Sequence, residues 1–206
     1  MSDLVVATDG RRKCGWPVGD PLYESYHDAE WGMPVESDAG LFEKIALEGF
    51  QAGLAWITVL RKREAFRSAF SGFAPEVVAG FGERQVRRLL GDAGIIRHEG
   101  KIRSAIGNAR RTIDVIEEHG SMAAYLWPFA PRRWKAPRSF ADITAVSPGS
   151  QALSKDLKRR GWSFVGPTTM HAFMQSVGMV NDHLTGCHVR GRCESARIAV
   201  ARRHTG

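Results

Sequence analysis

The stretch SQALSKDLKRRGWSFVGPTTMHAFMQSVG, residues 150–178, decides the fold. Ser150 is read as the cap of a helix closing on Lys158-Arg159-Arg160-Gly161, cations and a stop glycine where a helix C-terminus favours them. Gly166-Pro167-Thr168 then starts a second helix running through Phe173 and Val177, with proline in its first turn. Between them lies the turn Gly161-Trp162-Ser163-Phe164-Val165-Gly166, whose apolar centre should tuck inward. An ordinary αα-hairpin would read the same way. What this one adds is outward-facing N–H groups around Gly166 and Thr168, which with the helix dipole suit one phosphate oxygen. Lys158, Arg159 and Arg160 stand beside them and add positive charge at that phosphate position.

Helix signals dominate the rest of the chain. Ser37-Asp38 opens a helix through Leu41, Phe42, Ile45 and Glu48; Pro75 begins another, and Glu83 to Leu90 form a third. Gly100 to about His119 is a long one, with Ile102, Ala105, Ile106, Ala109 and Ile113 on one face. Strand-like alternation is nearly absent, so the expected fold is all-α. Residues 1–12 read as a flexible, frayed N-terminal tail and 13–188 as the folded domain. Residues 189–206 read as a basic C-terminal tail or a short terminal helix. The loosest internal segment is 128–149, with four prolines and Arg132, Arg133, Lys135 and Arg138.

The 206 residues suffice for a real core, and no apolar run approaches the ~18 residues of a membrane span. No secretory signal is visible, and three cysteines are too few and too odd a number for a disulfide framework. A monomeric cytoplasmic protein, with thiols free for metal and no membrane partner, is expected. The net charge of +7 is unevenly placed: residues 1–60 carry four basic and ten acidic residues, whereas 61–206 carry 25 and 12. A basic body points to a polyanion, with nucleic acid the first class of partner.

Two further groups carry chemistry. Cys14, His27, His183 and Cys187 would make a closed tetrahedral zinc site, although 156 residues separate the histidines. His183, Cys187, His188 and Cys193 form a rival local set, and spacing alone favours ordinary core or surface residues over either site. Zinc deaminase and H-E-x-x-H patterns are missing. In the first sixty residues Trp16, Tyr23, Tyr26, Trp31, Phe50 and Trp56 crowd around Glu48, which shares a helical face with Leu41 and Ile45. A carboxylate there is either a rim residue hydrogen-bonded to a tyrosine or backbone, or the anion of an aromatic pocket for a flat cation.

These same residues resemble the DNA-3-methyladenine glycosylase I family. The resemblance is carried by Cys14-Gly15-Trp16, Asp20-Pro21-Leu22-Tyr23 and Tyr26-His27-Asp28-Ala29-Glu30-Trp31-Gly32. It continues in the block from Leu47-Glu48-Gly49 to Val59-Leu60, in Asp92-Ala93-Gly94-Ile95-Ile96-Arg97, and from Phe164-Val165-Gly166-Pro167-Thr168 to Val180-Asn181-Asp182-His183, with Cys187 in step. It implies a helix-hairpin-helix glycosylase fold that flips 3-methyladenine out of alkylated double-stranded DNA and hydrolyses its N-glycosidic bond. It implies one structural zinc ion on Cys14, His27, His183 and Cys187, joining the chain's ends and leaving Cys193 spare. Glu48 becomes the recognition and candidate catalytic carboxylate, Tyr26 and Trp56 stack on the base, and Trp16, Tyr23 and Trp31 line the pocket. Gly166, Thr168, Lys158 and Arg159 would meet the DNA backbone. Asp182 reads first as structural, with a catalytic role left open, and Leu54 is a guess for the wedge into DNA. The hairpin departs from the usual two-glycine form, since only Gly166 precedes Pro167. The competing expectation is a zinc-stapled module that binds DNA or damaged bases without cutting; such a module has no need of Glu48 among aromatics.

Overall fold

Strands β1 (Leu4–Val6) and β2 (Arg12–Cys14) open the chain in the computed structural model, which describes residues 3–204. Helices α1 (Pro21–Ala29), α2 (Asp38–Gln51), α3 (Trp56–Leu60), α4 (Arg63–Ala69), α5 (Pro75–Ala79) and α6 (Glu83–Gly91) follow. Then come α7 (Glu99–His119), α8 (Met122–Leu126), α9 (Pro148–Arg159), α10 (Pro167–Ser176) and α11 (Arg190–His204). Short 3-10 turns occupy Ser71–Phe73, Trp127–Phe129 and Phe140–Asp142. Among the described residues no helix is long and apolar enough to cross a membrane.

The mainly helical expectation holds, with two differences at the ends. Residues 4–14 are not a frayed tail: Leu4 pairs with Cys14, Val5 with Lys13 and Val6 with Arg12. Gly10, at φ +77°, allows the chain to reverse, and Asp9 accepts from the Arg11 amide at 3.0 Å. Three-residue strands are too short for alternation to show in sequence. At the other end the terminal-helix alternative applies, because α11 buries Cys193, Arg197 and Val200. Residues 1–2 and 205–206 of the two expected tails lie outside the described residues.

The decisive stretch forms two helices around its turn. Ser147, rather than Ser150, caps α9: its hydroxyl accepts from the Ser150 amide at 3.2 Å, and the Ser150 hydroxyl accepts from the Ser147 amide at 2.9 Å. This reciprocal arrangement, with Pro148 in the first turn, outcompetes a cap three residues later. Trp162 and Val165 tuck inward, but Phe164 is 39% exposed with φ +55°, a conformation that turns its side chain outward. The backbone on either side is pinned. Asn108 of α7 accepts from the Ser163 amide and donates to the Ser163 carbonyl, both at 3.0 Å. Ser104 also donates to that carbonyl at 3.1 Å, and Ser154 donates to the Val165 carbonyl at 2.6 Å. Asn108→Ala should therefore remove both bonds to a part-buried turn and cost about 1–2 kcal/mol. Urea unfolding would read this as a lower midpoint at unchanged slope.

Helix α2 positions the site. Residues 41 to 50 are all buried, because α2 runs between two halves of the core. Leu41 and Ile45 face Trp127, Leu153, Met170 and Phe173, while Phe42, Leu47 and Phe50 face Phe66, Phe70, Phe73 and Ile102. A helix buried all round leaves no solvent for its polar side chains. Glu43 meets this by accepting from Arg67 Nε at 3.0 and 3.1 Å. Lys44 meets only Glu30, at 3.9 Å, and Glu48, which has no ion-pair partner, lines the site.

Candidate active site and metal centre

Asp20 caps α1, accepting from the amides of Leu22 and Tyr23 at 3.0 and 3.1 Å. The three-residue spacing that follows places Tyr23 and Tyr26 on one face of α1. Trp16 packs edge-on against Tyr23 at 4.7 Å and Trp31 at 5.2 Å, while Tyr26 and Trp56 lie 5.6 Å apart. With Glu48, these five aromatic residues line a cavity of about 170 Å³, so all six sequence-predicted pocket residues meet. For scale, a cavity of about 150 Å³ can hold a benzene ring. Gln51, Ala172 and Gln175 complete the lining. Gln51 was legible as the next residue on the Glu48 face of α2, whereas nothing local in sequence points to Gln175. The indole N–H of Trp56 is buried without a hydrogen-bond partner, an open donor in this wall.

Glu48 is 4% exposed. Burial pushes its carboxyl up to about 8, opposed by the positive charge of Lys44 and a hydrogen bond with Ser176. The rim reading of Glu48 therefore gives way to a buried acid facing an aromatic cavity. A groove of about 420 Å³ adjoins the cavity, sharing Glu48, Gln51 and Ala172 with it. Its other walls are the turn Ala52-Gly53-Leu54 and the start of α10 at Thr168 and Thr169. No side chain caps α10, and Gly166 stands at its N-cap. Leu54 is 41% exposed at this mouth. Lys158 and Arg159 are exposed at the end of α9, Arg159 paired with Asp156. Arg160 turns the other way, bonding Glu118 at 2.6 Å and Asp156 at 2.8 Å and lying 4.9 Å from the Tyr125 ring centre. It is not available beside the hairpin as the sequence suggested.

Asp182 lies outside the cavity. Its carboxylate accepts from Trp134 Nε1 at 2.6 Å and Gln175 Nε2 at 2.7 Å. Burial opposes its ionisation, but hydrogen bonds from His171, Trp134 and Gln175 hold the carboxyl below its usual value. The structural reading of Asp182 applies: it fastens the 131–137 segment to α10 and orients Gln175, with no free oxygen directed at the cavity.

Cys14, His27, His183 and Cys187 come together, each buried, with their donor atoms all within 4.8 Å of one another. His27 Nε2 and His183 Nδ1 are 3.1 Å apart, Cys187 Sγ is 3.6 and 3.7 Å from them, and Cys14 Sγ is 4.0 Å from His183 Nδ1. Tetrahedral zinc with ordinary bond lengths needs about 3.3 Å between nitrogens and about 3.6 Å from nitrogen to sulfur. The other ring nitrogens decide the chemistry. His27 Nδ1 lies 2.8 Å from Asp28 Oδ1 and His183 Nε2 lies 2.9 Å from the Trp31 carbonyl. Both partners only accept, so each ring places its proton there and two lone pairs face each other across 3.1 Å. A cation between them resolves that repulsion, and the residues fit a metal. The rival local set does not assemble: Cys193 contacts Met33 Sδ at 3.7 Å and His188 contacts Asp28 at 3.1 Å. Trp16 lies 5.3 Å from the His27 ring, so the metal centre and the cavity share a wall.

A mainly helical fold with the buried Glu48 carboxylate at an aromatic cavity defines one class of protein, and the comparisons name its family. Residues 16–190 match the methyladenine glycosylase family model, and the chain belongs to that family. It is 48% identical over 177 residues to DNA-3-methyladenine glycosylase 1 of Escherichia coli, covering 85% of this chain and 95% of that protein. It is 40% identical over 178 residues to DNA-3-methyladenine glycosylase of Haemophilus influenzae, covering 85% and 96%. The solved 3-methyladenine DNA glycosylase I of Staphylococcus aureus, described for its recognition of 3-methyladenine, is 33% identical with a TM-score of 0.82, covering 86% of this chain and 96% of that one.

Proposed function

We propose that this protein is a base-excision repair glycosylase that hydrolyses the N-glycosidic bond of 3-methyladenine in alkylated double-stranded DNA. The observation that carries this reading is Glu48, buried without an ion-pair partner of its own at an aromatic cavity beside the hairpin mouth. An adenine methylated at N3 and still attached to its sugar is a flat cation and already a good leaving group. Flipped out of the stack at a cost of a few kcal/mol, it would enter the cavity from the groove between Leu54 and Thr168. Tyr26 and Trp56 offer stacking and cation–π contact, each about 0.5–2 kcal/mol. Glu48 offers the charge that a neutral adenine cannot use. At about 4 Å and an effective dielectric near 20 that attraction is worth about 4 kcal/mol; less about 1.4 kcal/mol to ionise at pH 7 a carboxyl pushed up to about 8, it leaves roughly a hundred-fold preference for the damaged base. Its role is recognition and electrostatic stabilisation, with water attacking the sugar.

Lys158, Arg159, Gly166 and Thr168 are proposed to hold the DNA backbone and Leu54 to fill the gap left by the flipped nucleotide. Lys158→Ala with Arg159→Ala should weaken binding to all duplex sequences alike and flatten the salt dependence by one to two counterions, roughly. Equal salt slopes for variant and wild type would remove these two cations from the interface. Cys14, His27, His183 and Cys187 are proposed to hold one structural zinc ion, which, when bound, cross-links β2 and α1 to the 183–187 segment. A monomer in the cytoplasm, nucleoid-associated when on DNA, completes the reading.

The deciding experiment incubates the protein with methylated duplex DNA and identifies the bases set free. Release of 3-methyladenine supports the proposal. Tight duplex binding with no base released overturns it in favour of a non-catalytic module.

A further inference from the structure

Lys44 lies one helical turn before Glu48 on α2, and side chains four residues apart share a face. It is 7% exposed, and its ammonium makes no hydrogen bond. That ammonium stands 5.0 Å from the Tyr26 ring centre, on the very residue that forms a cavity wall. Its nearest carboxylate oxygen, on Glu30, is 3.9 Å away, and both Glu30 oxygens are already held by Arg63 at 2.5 and 2.8 Å. Glu43, the neighbour in sequence, is held by Arg67. The lysine therefore brings into the core a charge that meets only a Glu30 carboxylate already shared with Arg63. A methionine of nearly the same length would fill the space against Tyr26 without that charge.

We infer that Lys44 is a positioning residue for charge: from one turn away, against Tyr26, it favours the ionised form of Glu48 that a cationic base needs. This rests on reading Glu48 as the base-recognising group. The surroundings of both residues support it. Facing Glu48 are Tyr23 and Tyr26 from α1, Trp56 from α3, and Gln175 and Ser176 from α10, none of which carries a positive charge. Facing Lys44 are Glu30 at the end of α1, Glu43 and Glu48 on α2, and Arg63 on α4. Burial pushes Glu48 up to about 8, and Lys44 is the foremost of the two groups that oppose it, ahead of Ser176. Burial likewise lowers Lys44; the carboxylates of Glu30, Glu48 and Glu43 counter this while Arg63 adds to it. Removing Lys44 leaves Glu48 with a hydroxyl alone, so a smaller fraction of it is ionised to meet the cationic base.

The test is a carboxyl titration followed by NMR on protein labelled at glutamate, for wild type and Lys44→Met. The Glu48 midpoint should rise by about one to two pH units in the variant. Release of 3-methyladenine at pH 7 should fall about ten-fold, with the difference closing at a pH above the variant's midpoint. An unchanged Glu48 midpoint in folded Lys44→Met, or faster release near neutrality, overturns the inference while leaving the glycosylase reading in place. A wild type that frees no base at any pH removes that reading instead, and the two midpoints still decide the charge pair. Should Lys44→Met fail to fold, Lys44→Gln carries the same titration.

Discussion

Glu48→Gln should reduce 3-methyladenine release by about 100- to 1,000-fold and yet make the protein harder to unfold above pH 8. The first effect is the loss of one electrostatic stabiliser aimed at positive charge, for which such factors are typical. Glutamine keeps the shape and part of the hydrogen bonding, so duplex binding through the hairpin should persist while discrimination of the cationic base collapses. The second effect follows from burial. Glu48 titrates near 8 in the fold against 4.5 for the free side chain, so between these values the native state holds a proton that the unfolded chain has released. Stability from this group is fully present below about pH 4.5 and is lost as the pH rises through 8, on the order of a few kcal/mol in all. Glutamine never ionises and escapes that loss. Thermal unfolding at pH 5, 7 and 9 should show wild type falling progressively behind the variant. Retained base release, or no stability advantage at pH 9, would refute this account of Glu48.

Cys14→Ser should remove the bound metal and, with it, much of the fold. Structural zinc in small domains supplies apparent binding energies of about 10–16 kcal/mol, comparable with the whole stability of a typical domain. Here the ligands come from β2, α1 and the 183–187 segment, which the chain otherwise joins only through the intervening 155 residues between His27 and His183. Elemental analysis should find one zinc per wild-type chain, none in Cys14→Ser, and one in Cys193→Ser. The Cys14 variant should unfold at a markedly lower temperature, as should wild type after chelation. Zinc retained in Cys14→Ser and lost in Cys193→Ser would move the centre to the local His183, Cys187, His188 and Cys193 set.

Much of the site was legible because it is written in side chains whose chemistry is costly to bury. A glutamate on the Leu41 and Ile45 face and seven aromatics between residues 16 and 56 stand out without any knowledge of contacts, whereas the Cys14, His27, His183 and Cys187 set emerges only through the family resemblance. The helices were legible for a related reason: Pro167, Gly161 and the apolar face of α7 act locally, over one or two turns. What sequence missed depends on partners distant along the chain. Asn108 looks like one more polar residue within α7, yet it pins a turn 55 residues away. Gln175 enters the cavity only because α10 crosses α2. Arg160 looked as free as Arg159 until Glu118, on α7, claimed it. The β1–β2 pair was read as a tail because three residues carry no periodicity; its order comes from Cys14 and Lys13, the latter bonded to Asp28 at 2.7 Å.

The far separation of the metal ligands also fixes an order of events during synthesis. Trp16, Tyr23, Tyr26 and Trp31 leave the ribosome early, together with Cys14 and His27. Their remaining support, His183 and Cys187, is translated only after the 155 residues that follow His27. Contacts of such long reach form late in folding, once nearer ones have reduced the entropy of closure. The aromatic wall is therefore completed last, and a chain cut short before residue 183 carries the hairpin without a finished cavity. The ability to judge a base is acquired only once residues 183–187 have been made.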